Sequence, residues 1–210
     1  MFVKDCMSAN PISISPSIPI LEALNIMKKN KIRQLPVVEN NKLVGLVTER
    51  ELLTVTPSPA TTLSIYEMNF LLAKMVVKEV MVKKPFTIEP SSTIEDAALI
   101  MRDNKLGSLL VTENQKLVGI ITQTDVFDQM IKVFGLRKAG TRIVIEAEDR
   151  VGALADIVDI VRNLGLNLVG VAISDKSDRK IQIMLRISTA EPEELIKSIK
   201  EKGFNVTSVS

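Results

Sequence analysis

The sequence predicts a protein of the α+β class (α/β mixed), in which a duplicated β-α-β-β-α unit precedes a ferredoxin-like βαββαβ unit. Three observations support this: an internal repeat over the first two thirds of the chain, apolar residues at helical spacing within each copy, and a different element order in the last third. The 210 residues are 46% hydrophobic and 25% charged, a composition typical of one large or two smaller globular domains.

Composition excludes several classes of function. Lys and Arg number 27 against 25 Asp and Glu, a net charge of +2, so we expect neither a nucleic-acid nor a membrane partner. The chain has no His, which excludes His-based catalysis and His-ligated metals. We therefore expect that the protein is not an enzyme and that it binds no metal ion. The single Cys6 cannot form an intramolecular disulfide, and the N-terminus lacks the apolar core of a signal peptide. These features favour a cytoplasmic protein.

The repeat appears when the chain is shifted against itself by about 74 residues, which aligns about 51 residues without a gap. The matched pairs include Met7 with Met81, Pro11 with Pro85, Ala23 with Ala97, Gly45 with Gly119, and Thr48 with Thr122. Two copies of one supersecondary unit are expected to pack on each other, burying faces that neither covers alone.

Each copy predicts the same elements. A short strand (residues 12–14 and 86–88) precedes a helix whose apolar residues share one face. That face comprises Ile20, Ala23, Leu24 and Met27 in the first copy, and Ile94, Ala97, Ala98 and Met101 in the second. Ser92 and Thr93 are candidate N-caps of the second of these helices, with Glu95 and Asp96 placed for a capping box and for the helix dipole. A hairpin follows (residues 35–38 with 43–47, and 109–112 with 117–121), and a closing helix begins after Thr48 and Thr122.

The segments KIRQLPVVENNKLVGLVTERELL and KLGSLLVTENQKLVGIITQTDVF resemble the CBS domain, and the tandem pair resembles a Bateman module. The resemblance implies a regulatory sensor that holds AMP, ADP, ATP or S-adenosylmethionine in clefts between the repeats. The expected boundaries are residues 1–56 for the first repeat, 57–76 for a linker and helix, and 77–134 for the second repeat.

The second repeat carries the stronger candidate nucleotide site. A strand ends and a helix begins at Thr122, so backbone N–H groups, the helix dipole and the hydroxyl favour phosphate there. Asp125, about one turn into the helix, can accept hydrogen bonds from ribose hydroxyls, and it matches the ribose-binding position of the family. The resemblance adds Thr87, Gly107, Ser108 and Leu109. The alternative is that Thr122 and Asp125 only cap the helix.

The first repeat departs from the family pattern, because Glu51 stands where Asp is expected and its carboxylate is one methylene further from the backbone. We therefore expect a weaker second nucleotide site here, to which Arg50 could add a bidentate phosphate contact. Its candidate residues are Ser13, Arg33, Pro36, Thr48, Arg50 and Glu51. Some modules of this family bind nothing and serve only for dimerisation, which leaves a scaffold role open.

A turn-rich linker is predicted at residues 56–62, followed by capping-box spacing between Ser64 and Glu67. An apolar stripe comes next, formed by Ile65, Met68, Leu71, Leu72 and Met75. It indicates a packed helix that leads into the second repeat, and a partner-binding Met surface is the alternative.

The last third, residues 135–210, predicts strand, helix, two strands, helix and strand, with Gly165 ending the first helix and Pro192 in the first turn of the second. The stretch RIVIEAEDRVGALADIVDIVRNLGLNLVGVAIS resembles an ACT domain, which implies an amino-acid effector and a homodimer. Gly152 lets a ligand approach the backbone, and Asn167 lies where the family contacts a ligand or a neighbouring subunit; the alternative is that both only satisfy turn geometry. The implied amino-acid-binding residues are Asp149, Gly152, Ala153, Leu154 and Asn167.

The order CBS–CBS–ACT resembles the AcuB-type acetoin-utilisation family. Adenine nucleotide is then expected as a regulatory ligand, with no other cofactor and with a target enzyme that the sequence does not identify.

Overall fold

A computed structural model describes residues 1–55, 74–176 and 179–210. The chain divides into two compact units, Met1–Val126 and Phe127–Ser210. The predicted linker and most of the predicted helix after it, residues 56–73, lie outside the described residues. Within the described ranges, no helix has the length and apolar content needed to cross a bilayer.

The first unit contains both repeats. The first repeat consists of a 3₁₀ turn Val3–Asp5, β1 Ser8–Ala9, α1 Ile20–Asn30, β2 Gln34–Glu39, β3 Lys42–Thr48 and α2 Glu49–Thr54. The second consists of α3 Val77–Val80, β4 Thr87–Ile88, α4 Ile94–Asp103, β5 Ser108–Glu113, β6 Lys116–Thr122 and α5 Gln123–Val133, which runs into the second unit.

Both hairpins form as predicted, and their turns show why. Asn40 and Asn41 have φ of 49° and 64°, and Asn114 and Gln115 have φ of 48° and 65°. Two successive positive φ values are typical of the tight turn whose twist matches that of antiparallel strands, and Asn adopts them readily. The β2–β3 and β5–β6 pairs follow in antiparallel register.

The strand predicted at the start of each repeat is shorter than expected. In the first repeat only Ile14 forms a parallel bridge, with Val37, and in the second β4 pairs in parallel with β5. The long helices agree better with the pattern. Thr93 is the N-cap of α4, and Asp96 completes its capping box, whereas Ser92 lies one residue before the cap.

The segments that begin the two repeats are exchanged. β1 of the first repeat pairs with β6 of the second, with Ser8 opposite Ile120, and Val82 of the second repeat bridges to Leu46 in β3 of the first. The backbone N–H of Val3 donates to Ser92 O at 2.9 Å, and that of Val77 donates to Ile18 O at 2.9 Å. The first residues of each repeat therefore pair with and pack against the other repeat.

The two cores repeat each other position by position. The first comprises Ile14, Ile20, Ala23, Met27, Leu35, Val37, Val47, Leu52 and Val77. The second comprises Val3, Ile88, Ile94, Ala97, Met101, Leu109, Val111, Ile121 and Val126. Val3 and Val77 are the exchanged members, and both are fully buried.

The second unit has the predicted βαββαβ order. Its elements are β7 Thr141–Glu148, α6 Ala153–Asn163, β8 Leu168–Asp175, β9 Lys180–Ile187, α7 Glu193–Glu201 and β10 Asn205–Val209. The strands form an antiparallel sheet in the order β10-β7-β9-β8. The apolar faces of α6 and α7 pack on one face of this sheet, around Ile145, Ile157 and Ile183.

Local backbone conformation determines where α6 ends and where α7 begins. Gly165, with φ of 67°, follows the end of α6, as expected for a left-handed C-terminal position. Pro192 is the N-cap of α7 and not the first-turn residue predicted, because its ψ of 1° places it outside the regular helix, which begins at Glu193.

Candidate functional site

The residues of the stronger candidate site meet at one end of the β5–β6 hairpin. Ser108, the first residue of β5, lies directly opposite Thr122, the last residue of β6. The N–H of Gln123 donates to Gly107 O at 3.0 Å, which holds the start of α5 against the start of β5. Antiparallel pairing thus brings Gly107, Ser108 and Thr122 together.

Asp125 is held at this end by a capping box. The N–H and Oγ1 of Thr122 both donate to Asp125 Oδ2 at 2.8 Å, and the N–H of Asp125 donates to Thr122 Oγ1 at 3.3 Å. The capping alternative is thus present in the structure. Among the described residues no donor contacts Oδ1 of Asp125, which is half-buried, so one carboxylate oxygen is available to a ligand.

Thr87 and Leu109 differ in which of their groups a ligand could contact. Thr87, on β4, is exposed and pairs with Leu110 in the neighbouring strand. Leu109 is 1% exposed and its side chain belongs to the core of the repeat. Only its backbone groups can contribute to a site.

The candidate site of the first repeat has the same construction. Gln34 lies opposite Thr48, and the N–H of Glu49 donates to Arg33 O at 2.8 Å. The N–H of Thr48 donates to Glu51 Oε2 at 2.9 Å, and the Thr48 hydroxyl donates to the same oxygen. The longer Glu51 side chain folds back and caps α2 as Asp125 caps α5.

The remaining predicted residues of the first repeat are spread over its surface. Ser13, Arg33 and Arg50 are exposed, and neither guanidinium has an ion-pair partner among the described residues. Pro36 is buried, so its side chain is not available to a ligand. The two Arg side chains are therefore the groups with which this repeat could attract phosphate.

The two candidate sites are linked by a contact that the sequence pattern alone did not predict. Ser108 Oγ donates to Gln34 Oε1 at 2.5 Å, and the two residues are 74 positions apart in the chain. That separation equals the repeat offset, so Gln34 and Ser108 are the same position in the two copies. The offset was the signal that could have identified Gln34.

The second unit places four of its five candidate residues around one cavity of about 550 Å³. Asp149, Gly152, Ala153 and Leu154 line it, and Val158, Ile173 and Ile181 supply apolar walls. Gly152 is the N-cap of α6 with φ of 87°, a conformation that glycine adopts without strain.

Asn167 does not line that cavity. It lies before Leu168, at the start of β8, whereas the cavity contacts Ile173 and Asp175 towards the end of the same strand. A strand of this length separates the two positions by roughly 20 Å. Asn167 therefore does not line this cavity with the other four residues, and its contact with a neighbouring subunit stays a prediction, with turn geometry as the alternative.

The shifted pKa values lie outside the candidate residues. Hydrogen bonds from the side chain and backbone of Thr93 lower the pKa of Asp96. Hydrogen bonds from Lys176 and Lys180 lower the pKa of Glu146 to about 2. Across the described part of the chain, no three His, Cys, Asp or Glu residues cluster in a way that could hold a metal ion.

Family models match most of the chain. The CBS domain model matches residues 3–57 and 77–132, and the ACT domain model matches residues 141–204. These ranges contain the first repeat, the second repeat except the last residue of α5, and the second unit from β7 to α7, whereas β10 lies just beyond them.

Curated relatives match the part of the chain that carries the repeats. An inosine-5′-monophosphate dehydrogenase of Korarchaeum cryptofilum is 31% identical over 157 residues, which is 71% of this chain but 30% of the dehydrogenase. A CBS domain-containing protein of Dictyostelium discoideum is 33% identical over 135 residues, which is 63% of this chain and 93% of that protein. The chain therefore spans less than a third of the dehydrogenase.

Solved structures agree on the fold. CBSX2, solved in complex with AMP, is 28% identical with a TM-score of 0.53, covering 65% of this chain and 98% of that one. A Vibrio cholerae protein described as an acetoin utilization protein (AcuB) is 28% identical with a TM-score of 0.54, covering 65% and 95%. The CBS domain pair of protein MJ0100, solved with 5′-methylthioadenosine and S-adenosyl-L-methionine, is 25% identical with a TM-score of 0.51, covering 62% and 99%.

The structure leads to the same result as these matches. The two repeats exchange their first segments, a capping box lies in each repeat beside the other, and the second unit has the sheet order described above. The chain belongs to the CBS-domain family and carries two CBS domains followed by an ACT domain.

Proposed function

We propose that this chain is a non-enzymatic, cytoplasmic regulatory protein whose CBS pair binds an adenine nucleotide or S-adenosylmethionine. The observation that carries the proposal is the Thr122–Asp125 box, which presents a half-buried carboxylate oxygen at the end of β6, beside the N-terminus of α5. An acidic acceptor beside a helix N-terminus suits a ribose and a phosphate, respectively. The complexes of CBSX2 with AMP and of MJ0100 with S-adenosyl-L-methionine support this ligand class.

The ACT unit is proposed to bind an amino acid in the cavity beside Gly152, and the chain to act as a homodimer. The apolar walls of that cavity favour an aliphatic side chain, and the N–H groups that begin α6 suit a carboxylate. We further propose that the protein regulates a partner enzyme in an AcuB-like role in acetoin or central carbon metabolism. Ligand binding would act by favouring one arrangement of the protein over another.

Calorimetric titration with AMP, ADP, ATP and S-adenosylmethionine tests the nucleotide site. We expect at least one ligand to bind the wild type, and Asp125→Ala to weaken it at least tenfold, because the ribose acceptor is lost. Asp125→Ala also removes a helix cap, so the matched control is Asp96→Ala, which removes the equivalent capping box of α4 away from the site. The same experiment with leucine tests the ACT cavity.

A scaffold role is the second candidate, because helix capping alone accounts for Thr122 and Asp125. It predicts no heat with any of the four ligands and a stable dimer in sedimentation. Equal weakening by Asp125→Ala and Asp96→Ala would also contradict the nucleotide site, since it would trace the effect to capping.

A further inference from the structure

Gln34 and Ser108 lie at the centre of the CBS pair. They are equivalent residues of the two repeats, and their side chains are joined by a hydrogen bond of 2.5 Å. Equivalent side chains of two copies related by a local two-fold can touch only near the axis that relates them. The Gln34–Ser108 pair therefore marks the seam between the repeats.

Ser108 depends on this contact. Its residue is 7% exposed, and Gln34 is the partner that the described residues provide for its hydroxyl. A buried hydroxyl that loses its partner is left desolvated and unpaired, which the surrounding structure relieves by shifting. The long Gln34 side chain of the first repeat thus holds the first residue of β5 in place.

From Ser108 the contact leads directly to the proposed nucleotide site. Ser108 pairs across the β5–β6 hairpin with Thr122, and Thr122 donates two hydrogen bonds to Asp125. On the other side of the seam Gln34 pairs with Thr48, which donates to Glu51. One row of six polar residues therefore crosses the seam, in the order Glu51, Thr48, Gln34, Ser108, Thr122 and Asp125.

We propose that Gln34 is a positioning residue for the nucleotide site of the second repeat, acting through Ser108 on Thr122 and Asp125. A residue of the first repeat then sets the affinity of a site in the second. This inference rests on the proposed function, and it assigns Ser108 to the support of the site and not to ligand contact.

AMP titration of full-length variants tests it. Gln34→Leu keeps the size of the side chain but removes the acceptor, and Ser108→Ala removes the donor. We expect each to weaken AMP binding by about two- to tenfold, the range of one neutral hydrogen bond. The double variant should bind no more weakly than the weaker single variant, since both changes break the same bond.

Two further variants separate positioning from general damage. Ser108→Thr keeps the hydroxyl on a strand residue and is expected to bind AMP more tightly than Ser108→Ala. Gln182→Leu alters a half-buried Gln on β9 in the other unit, and AMP affinity should not change. Denaturant unfolding measures the stability of every variant, so that a change in stability can be told apart from a change in AMP affinity.

The outcomes differ for the two proposals. If Gln34→Leu and Ser108→Ala lower stability but leave the AMP affinity of the folded protein unchanged, while Asp125→Ala weakens binding at least tenfold, Gln34 is structural only and the nucleotide function stands. If the wild type binds no AMP and none of the other three ligands, the proposed function and the role of Gln34 both fail.

Discussion

Two glycines show how a single missing methyl group permits the exchange between repeats. A Cβ on Gly45 would lie 2.6 Å from Met81 Sδ and 3.0 Å from Val82 O. A Cβ on Gly119 would clash with Met7 Sδ and lie 3.2 Å from Ser8 O. Met7 and Met81 are equivalent residues of the exchanged segments, so both glycines make room for the same packing.

Gly119→Ala and Gly45→Ala are therefore expected to destabilise the protein by about 1–3 kcal/mol, the usual cost of overpacking. The Met sulfur can move, but the backbone oxygen behind it cannot move without disturbing strand pairing. Urea unfolding followed by circular dichroism measures the change. Gly107→Ala is the matched control, because nothing lies within 4 Å of its added Cβ. Equal stability of all three variants would contradict the close-packing argument.

On the scale of single strands, Glu146 illustrates a local electrostatic arrangement in the ACT sheet. It lies on β7, its side chain is 15% exposed, and both Lys176 and Lys180 contact it. Lys180 lies opposite Glu148, which is two residues further along β7 than Glu146. The two ammonium groups stabilise the carboxylate, which explains why the pKa of Glu146 falls to about 2.

This pKa shift predicts a pH dependence. Because the pKa is lower in the folded than in the unfolded state, Glu146 contributes stability above about pH 4.5, and the contribution is lost as the pH falls towards 2. Glu146→Gln should be less stable than the wild type at pH 7, and the difference should shrink below pH 4. Thermal unfolding from pH 7 to pH 3 measures it. A difference that is constant across this range would argue against the ion pairs as its cause.

Elements were predictable from the sequence where the pattern is local. The spacing of Ile94, Ala97 and Met101 predicts α4, and the Asn-rich turns predict the hairpins, because both depend on nearby residues. The partners of Met7 and Val3 were not predictable, since an apolar residue has the same local pattern whichever repeat it packs against. Gln34 was missed for a related reason, because its role depends on a contact across the seam.

Across the whole CBS pair, stability is shared between the repeats by the exchanged segments. Val3 is fully buried in the core of the second repeat, and Val77 is fully buried in the core of the first. Neither core is closed by residues of its own repeat alone. A change at the N-terminus should therefore be felt more than 80 residues away along the chain, at Ile88 and beyond.

Val3→Ala is expected to lower stability by about 1–3 kcal/mol, because it leaves a cavity in a packed core. Hydrogen exchange should show the loss of protection in β5 and β6 of the second repeat, and Val77→Ala should show it in β2 and β3. Val151→Ala is the control, since Val151 is fully exposed. Loss of protection confined to the repeat that carries the substitution would contradict the exchange.

The exchange also bears on how such a chain is made. During synthesis the first core cannot close until Val77 has left the ribosome, so a nascent chain that stops after the first repeat would expose an unfinished apolar surface. A single repeat made alone would need a second copy of itself to supply the valine that closes its core. The pair, and not the single repeat, is the unit in which both cores are closed.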